Sequence, residues 1–241
     1  LGINDDKLTK KDRYDTEIAA VDESIARLLA GVRQAVDDKD LLVVFTADHG
    51  ESLGEHNYWG HGRYLYEPSL RIPLGIVWRG VIPAGTVSSQ ANLLDLMPTL
   101  LELVGVEVPE DLPGTSWAKT VRGAGEIAER VGCYQAHRGA VHGNSARESD
   151  KKRSKGLLWA GVINGDRKEI VKVSRQVVQI YDLATDPGEL KTLASVDTGP
   201  SEELAACLAR VTKGLGSLDK LATQTLDDET VEKLRALGYM E

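Results

Sequence analysis

A run of apolar residues, LLVVF at 41–45, leads directly into a polar and glycine-rich stretch, TADHGESLGEHNYWGHG at 46–62. The run is rich in β-branched residues, which is typical of a strand buried on both faces, as in a parallel sheet. In open α/β sheets, ligands bind beyond the carboxyl ends of the strands. The sequence therefore predicts an α/β sheet with a functional site at residues 46–62.

Helical and strand patterns surround this run. Residues 12–36 repeat apolar side chains at three- and four-residue spacing, which predicts an amphipathic helix. Residues 71–79 predict a second short buried strand, and residues 91–106 predict a helix with Pro98 near its start or at a bend. The alternation indicates part of a layered α/β domain over residues 1–120.

The predicted secondary structure changes after about residue 120, from alternating helices and strands to antiparallel strands. The segments GLLWAGVI (156–163) and KEIVKVSRQVVQIYDL (168–183) predict antiparallel strands, with a hairpin turn at Asn164–Gly165. The segment SEELAACLARVTKGL (201–215) predicts an amphipathic helix. We therefore expect a smaller subdomain of antiparallel sheet plus helix over residues 121–241.

Composition excludes some functions. The net charge of −8 over 241 residues argues against broad nucleic-acid binding, which needs a basic surface. No apolar run approaches the roughly 20 residues of a membrane span, so no membrane segment is expected in this chain. Composition leaves the compartment and the oligomeric state open.

The two cysteines, Cys133 and Cys207, lack metal-type spacing. They could form one disulfide or stay as buried thiols. The usual burial of free cysteine favours two buried thiols.

The polar stretch offers metal ligands. Asp48 and His49 directly follow the predicted strand, and a carboxylate beside an imidazole is a partial divalent-metal site. His61 lies between two glycines and could act as a donor or general acid. His56 is the less certain member of the site, since its neighbours could make it a structural hydrogen-bonding residue of the loop. The alternative is that Asp48 caps a following helix, with Glu51 completing a capping box.

The run LLVVFTADHGESLGEHNYWGHGRYLYEPSLRIPLGIVWRG resembles the metal-binding half of the sulfatases, within the alkaline phosphatase superfamily. Further segments resemble the same family in the same order: YDTEIAAVDESIARLL, NLLDLMPTLLELVGV, LPGTSW, VVQIYDLATDPGEL and KLRALGYME. The resemblance covers nearly the whole chain. It implies a partial alkaline-phosphatase-like layered sheet with helices, followed by the smaller subdomain.

The resemblance implies roles for three residues. Asp48 and His49 match the family pair that binds the active-site divalent ion, which is usually Ca²⁺; a histidine there leaves Mn²⁺ or Zn²⁺ as alternatives. His61 matches a position that contacts the transferring group, where a cation stabilises developing negative charge. The implied substrate is a small-molecule or carbohydrate sulfate monoester.

The family nucleophile, a formylglycine made within a Cys-x-Pro-Ser-Arg motif, has no match here. Cys133 and Cys207 lie in other contexts, and the segment EPSLR at 67–71 lacks the cysteine or serine. We therefore expect this chain to be the C-terminal half of a sulfatase-like protein, with formylglycine in an upstream part, and to be inactive alone.

Two alternatives stay open. A phosphorus-ester hydrolase or phosphoethanolamine-type transferase of the same superfamily would share DHGESLGE, and a non-catalytic fragment would bind no metal. Four further features could border a substrate, although plainer interpretations as solvated or core residues are favoured: His137, His142, the segment KKRSK at 151–155, and Trp59.

Overall fold

The computed structural model describes residues 8–138, 156–194 and 199–221. The chain divides into two compact units. The first unit contains Leu1–Trp59 and Ile72–Ala128, and the second contains Gly60–Arg71 and Glu129–Glu241. The chain therefore leaves the first unit for twelve residues, contributes them to the second, and returns. Among the described helices, none has the length and apolar composition needed to cross a membrane.

The first unit begins with helix α1, Lys10–Ala35, which confirms the predicted helix. A capping box starts it: the Thr9 hydroxyl accepts from the backbone N–H of Asp12, and the Asp12 carboxylate accepts from that of Thr9. No residue of α1 is buried, and Leu28 on its apolar face is 64 % exposed.

Strands β1 (Leu42–Thr46) and β4 (Leu74–Trp78) form a two-stranded antiparallel sheet with Leu42 opposite Trp78. Short strands β2 (Ser52–Leu53) and β3 (Trp59–Gly60) form a second pair. The prediction that β1 is a parallel strand buried on both faces is wrong for the described residues, since Phe45 is 51 % exposed. An apolar run reports which side chains favour burial, but it does not encode the direction of the neighbouring strand.

Helix α3, Leu96–Leu103, contains Pro98 in its first turn, where a missing backbone N–H costs nothing. The loop after it is tied to the start of this helix. Thr115 N–H donates to the buried Asp95 carboxylate over 2.8 Å, and Trp117 N–H donates to Thr99 Oγ1 over 2.9 Å. The one-turn helix α4, Ala118–Val121, follows.

The second unit is built on a four-stranded antiparallel sheet in the order β5-β6-β7-β8. Its strands are Gly132–Arg138, Gly156–Asn164, Arg167–Lys172 and Val177–Asp182. The predicted hairpin is present, with Asn164 paired to Arg167 across the turn. Helix α5, Glu202–Leu221, packs on one face through a core that includes Val162, Val178 and Leu204.

The opposite face of this sheet is covered by the excursion from residue 60 to residue 71. Leu65, 2 % exposed, packs there with Trp159, Ile170 and Tyr181. The excursion ends in helix α2, Glu67–Leu70. Both faces of the sheet are therefore buried, one under α5 and the other under twelve residues from a distant part of the sequence.

Cys133 and Cys207 form a disulfide that joins β5 to α5 across 74 residues of sequence. The prediction of two buried thiols is therefore wrong. The preference of cysteine for burial is a property of a single residue, whereas a disulfide requires two cysteines close together. Here the packing of α5 on the sheet brings the two Cα atoms to 5.7 Å.

Candidate active site

The polar stretch begins where β1 ends. Residues 47–51 are irregular and lead into β2, so Asp48 caps no helix among the described residues and the capping alternative is wrong. The Asp48 carboxylate instead accepts the backbone N–H of His49 over 3.0 Å. The sequence thus places an exposed carboxylate and an exposed imidazole on adjacent residues directly after the strand.

The orientation of His49 defines which ring nitrogen can bind a cation. Its Nδ1 lies 3.0 Å from the carbonyl oxygen of Gly50. A carbonyl oxygen only accepts, so Nδ1 carries the proton and Nε2 holds the lone pair of the neutral ring. In metal-binding histidines, the ring nitrogen that does not bind the metal commonly donates such a hydrogen bond, which fixes the orientation of the ring.

The Nε2 lone pair faces a carboxylate. The distance from His49 Nε2 to Asp48 Oδ1 is 3.7 Å. An imidazole nitrogen and a carboxylate oxygen at this separation are donors that one divalent cation can contact together. The geometry of the predicted pair therefore fits a divalent cation.

Glu51 adds a carboxylate that the sequence interpretation had considered only as part of a capping box. One of its oxygens lies within 4.8 Å of a ring nitrogen of His49. His49, Glu51 and His61 each carry a side-chain atom of the kind that binds divalent metals. The signal that could have identified Glu51 is a carboxylate two residues after a candidate ligand histidine, in a loop that follows a strand.

His56 lies in the turn between β2 and β3, in a short 3₁₀ segment from Glu55 to Asn57. Its backbone has φ +52°, and the following Asn57 has φ +55°. The turn is closed by a hydrogen bond from Gly54 N–H to Tyr58 O over 2.9 Å. His56 therefore lies within the turn itself, and the two interpretations of its side chain stay open.

Trp59 ends the first segment of the first unit and is 47 % exposed. An added Cβ on Gly54 would lie 3.2 Å from this ring, so glycine lets the ring sit close to the backbone. Lys10 Nζ lies 5.3 Å from the centre of the ring. The hypothesis that Trp59 stacks on a substrate ring stays a prediction.

His61 opens the second unit as an exposed residue directly after β3. Both neighbours have left-handed backbones, with φ +114° at Gly60 and +76° at Gly62. Glycine adopts these values without steric cost, so the path on either side of His61 requires the glycines that the sequence provides.

Six residues further on, the excursion carries a buried charge cluster. Lys168 Nζ lies 2.9 Å from Glu67 Oε1 and 2.7 Å from Glu189 Oε1. Burial, together with the neighbouring Glu67 carboxylate, raises the pKa of Glu189, although Lys168 opposes this. Burial likewise raises the pKa of Tyr66 and of Tyr181 nearby. Sequence interpretation missed this cluster.

The remaining candidate residues from the sequence lie outside the polar stretch. In the segment EPSLR, Ser69 is 6 % exposed within α2. His137 lies on β5 with Nε2 3.2 Å from Gln135 Oε1. His142 and the segment KKRSK lie outside the described residues.

Comparison with known proteins shows that this chain is similar to sulfatases. The family model for sulfatases matches residues 4–106. The chain is 38 % identical over 114 residues to an N-acetylglucosamine-6-O-sulfatase of Bacteroides thetaiotaomicron, an alignment that covers 47 % of this chain and 20 % of that protein. It is 31 % identical over 181 residues to arylsulfatase K of Xenopus laevis, covering 69 % of this chain and 31 % of that protein.

The fold has a solved counterpart. A structure described as a complex with its substrate D-glucosamine-2-N,6-O-disulfate matches with a TM-score of 0.63 and 28 % identity, covering 83 % of this chain and 40 % of that one. The two units therefore have the architecture of sulfatases, which are alkaline-phosphatase-like α/β proteins, and the chain belongs to the sulfatase family. It spans between 20 % and 40 % of the length of these three proteins.

Proposed function

We propose that this sulfatase-family chain supplies the metal-binding wall of a hydrolase that acts on sulfate monoesters of carbohydrates. The observation that carries the proposal is the pairing of His49 Nε2 with the Asp48 carboxylate at 3.7 Å, in the segment that matches the family model. The substrate class is supported by the names of similar proteins, one an N-acetylglucosamine-6-O-sulfatase and another bound to a sulfated glucosamine.

Asp48 and His49 would hold the divalent ion, with Glu51 as a further carboxylate. Ca²⁺ is proposed first because two of the three donors are carboxylates, and the imidazole makes Mn²⁺ or Zn²⁺ the alternatives. A bound divalent ion would supply positive charge beside the ester oxygens. His49 is prepared for this role because the Gly50 carbonyl holds its Nδ1 proton.

His61 is proposed as the catalytic group. As an exposed histidine it can donate a hydrogen bond to an oxygen of the transferring sulfate, and in its protonated form it stabilises charge that builds there. Since no residue of this chain matches the formylglycine motif, the proposal assigns the nucleophile to a further part of the protein.

Metal titration tests the proposal. We expect Ca²⁺, Mn²⁺ or Zn²⁺ to raise the melting temperature of the 241-residue chain, since an ion that binds only the folded state stabilises it. The substitutions D48N and H49A should abolish the increase. H56A is the matched control, because this histidine lies in the same loop but outside the proposed ligand set, and it should leave the increase intact.

Three results would contradict the proposal. No effect of any of the three ions would favour a non-catalytic chain. Hydrolysis of an aryl sulfate by this chain alone, lost in D48A, would show that the nucleophile is present here after all. If the assembled protein hydrolysed a phosphate or phosphonate ester in preference to a sulfate ester, the proposed substrate class would change from sulfate esters to phosphorus esters.

A further inference from the structure

The second unit joins two stretches that are far apart in sequence, Gly60–Arg71 and the region from Glu129 onward. The short stretch carries His61 near its start and helix α2 at its end. Because His61 is flanked by glycines at φ +114° and +76°, its immediate neighbours restrict its backbone little. The contacts that hold the rest of the stretch on the sheet therefore limit where His61 can lie within this unit.

The strongest of these contacts is the buried cluster around Lys168. Its ammonium bridges Glu67 at 2.9 Å and Glu189 at 2.7 Å, and the Glu67 backbone N–H donates to Glu189 Oε2 over 2.6 Å. The side chains of Lys168 and Glu189 have no exposed area. Ion pairs of this kind are sensitive to loss of one partner, because the other charge is then left buried and uncompensated.

A specific turn delivers Glu189 to the cluster. Glu189 has φ +54°, a left-handed value that is unfavourable for a residue with a side chain. The Asp186 carboxylate holds the turn by accepting the N–H groups of Leu190 and Lys191 over 3.0 and 2.9 Å. The family-like segment TDPGEL thus has a physical role, which is to direct a carboxylate under the sheet toward Lys168.

Tyr64 and Tyr66, which lie between His61 and Glu67 in the sequence, make further contacts with the sheet. The Tyr66 hydroxyl donates to Gln179 Oε1 over 3.1 Å. The rings of Tyr64 and Trp159 meet edge to face, with centres 5.8 Å apart. The attached part of the excursion therefore begins three residues after His61.

We infer that Lys168 and Glu189 are positioning residues for His61, acting through Glu67 to hold the His61-bearing stretch against the sheet. The inference rests on the proposed role of His61 and deepens it. It explains why three separate segments of sequence carry one buried cation and two carboxylates on the sheet face opposite α5.

Hydrogen exchange of the full chain, followed by mass spectrometry, tests the inference. In K168M, we expect the backbone amides of residues 60–67 to exchange on the order of a hundredfold faster, because two carboxylates lose their shared cation. The amides of β6 and β7 should stay protected. V178A is the matched control: it truncates a residue buried to 6 % exposure in the core on the opposite face, so it weakens the unit without touching the cluster.

If K168M fails to fold, the double variant K168M/E189Q removes the cation together with one carboxylate charge, and the faster exchange at residues 60–67 should persist. The ring resonances of His61, observed by NMR, should shift or broaden in both variants but not in V178A. Equal acceleration across the whole second unit, or an equal effect of V178A at residues 60–67, would overturn the inference. Neither measurement involves turnover, so a catalytically silent His61 would refute the proposed function while leaving the positioning result intact.

Discussion

Lys168 Nζ lies 2.7 Å from Glu189 Oε1, and neither side chain has any exposed area. This ion pair joins strand β7 to the turn after strand β8, and Glu67 of the excursion adds a second carboxylate at 2.9 Å. A buried cation with two anionic partners ties three segments together at one point. It is therefore the place in the second unit where single substitutions should have the largest effect on stability.

We expect K168M to lower the free energy of unfolding by about 3–5 kcal/mol, because it leaves buried carboxylates without their counter-ion. Urea denaturation of the full chain, followed by tryptophan fluorescence, measures this. The control is R27A, which removes a pair with Glu23 of the same 2.9 Å length on the exposed surface of α1. An exposed pair of this kind should contribute little that is measurable. Similar losses in the two variants would contradict the prediction.

Stability should also depend on the ionisation of Glu189. Burial raises the pKa of this carboxyl group above its ordinary value of about 4.3. Between the unfolded and folded pKa values, the folded state holds a proton that the unfolded state has released. The stabilisation that results from this bound proton is therefore fully present below the pKa of Glu189 in the unfolded chain, and it is lost as the pH rises through the pKa of Glu189 in the folded chain.

The measurement is urea denaturation at a series of pH values from about 4 upward, compared between the wild-type chain and E189Q. Glutamine does not titrate, so the difference between the two curves isolates Glu189 from the other carboxyl groups. The wild-type stability should fall relative to E189Q with rising pH. A difference that is constant with pH would show that folding leaves the pKa of Glu189 unshifted, and a slope of opposite sign would show that folding lowers it; either result would contradict the prediction.

The charge cluster also shows what local sequence patterns cannot reveal. Glu67 and Glu189 are 122 positions apart; Glu67 directly precedes a proline, and Glu189 directly follows a Pro-Gly turn of the kind that usually exposes acidic residues. Their burial depends on the chain leaving one unit for another between Gly60 and Arg71. The sequence pattern identified α1, α3, α5 and strands β6, β7 and β8, because each element buries or presents one face at its own spacing. Strand β5, Gly132–Arg138, was not predicted, since the polar residues from 133 onward indicated a loop or hairpin arm.

The fold class was predicted from the sequence, whereas the site residues stay predictions. Asp48 and His49 were proposed because their chemistry and their place after a strand are both local properties. Glu51 was considered only as part of a capping box because a carboxylate three residues after Asp48 fits one, and only the irregular backbone of residues 47–51 excludes a helix there. The antiparallel pairing of β1 was missed because strand direction is a tertiary property.

Gly114, in the segment LPGTSW, should not tolerate a side chain. Its φ is +103°, and an added Cβ would lie 2.1 Å from the carbonyl oxygen of Leu94. We expect G114A to cost about 1–2 kcal/mol for the left-handed backbone and a further 1–3 kcal/mol or so for overlap with a backbone that hydrogen bonds hold in place. Gly105 provides the control, since its φ is +76° and nothing lies within 4 Å of an added Cβ. Thermal unfolding should therefore show a clearly larger loss for G114A than for G105A, and equal losses would contradict the close approach.

The disulfide between Cys133 and Cys207 should contribute to the stability of the second unit. It closes a loop across 74 residues and lies beside the core that α5 forms with the sheet, with Cys207 only 4 % exposed. Opening it allows the unfolded chain many more conformations, so we expect the double variant C133A/C207A to lose about 2–5 kcal/mol. A reducing agent should lower the melting temperature of the wild-type chain and leave that of the double variant unchanged. If reduction had no effect on the wild-type chain, the cysteines would be behaving as the buried thiols that composition alone favours, and the attachment of α5 to β5 would rest on its apolar core.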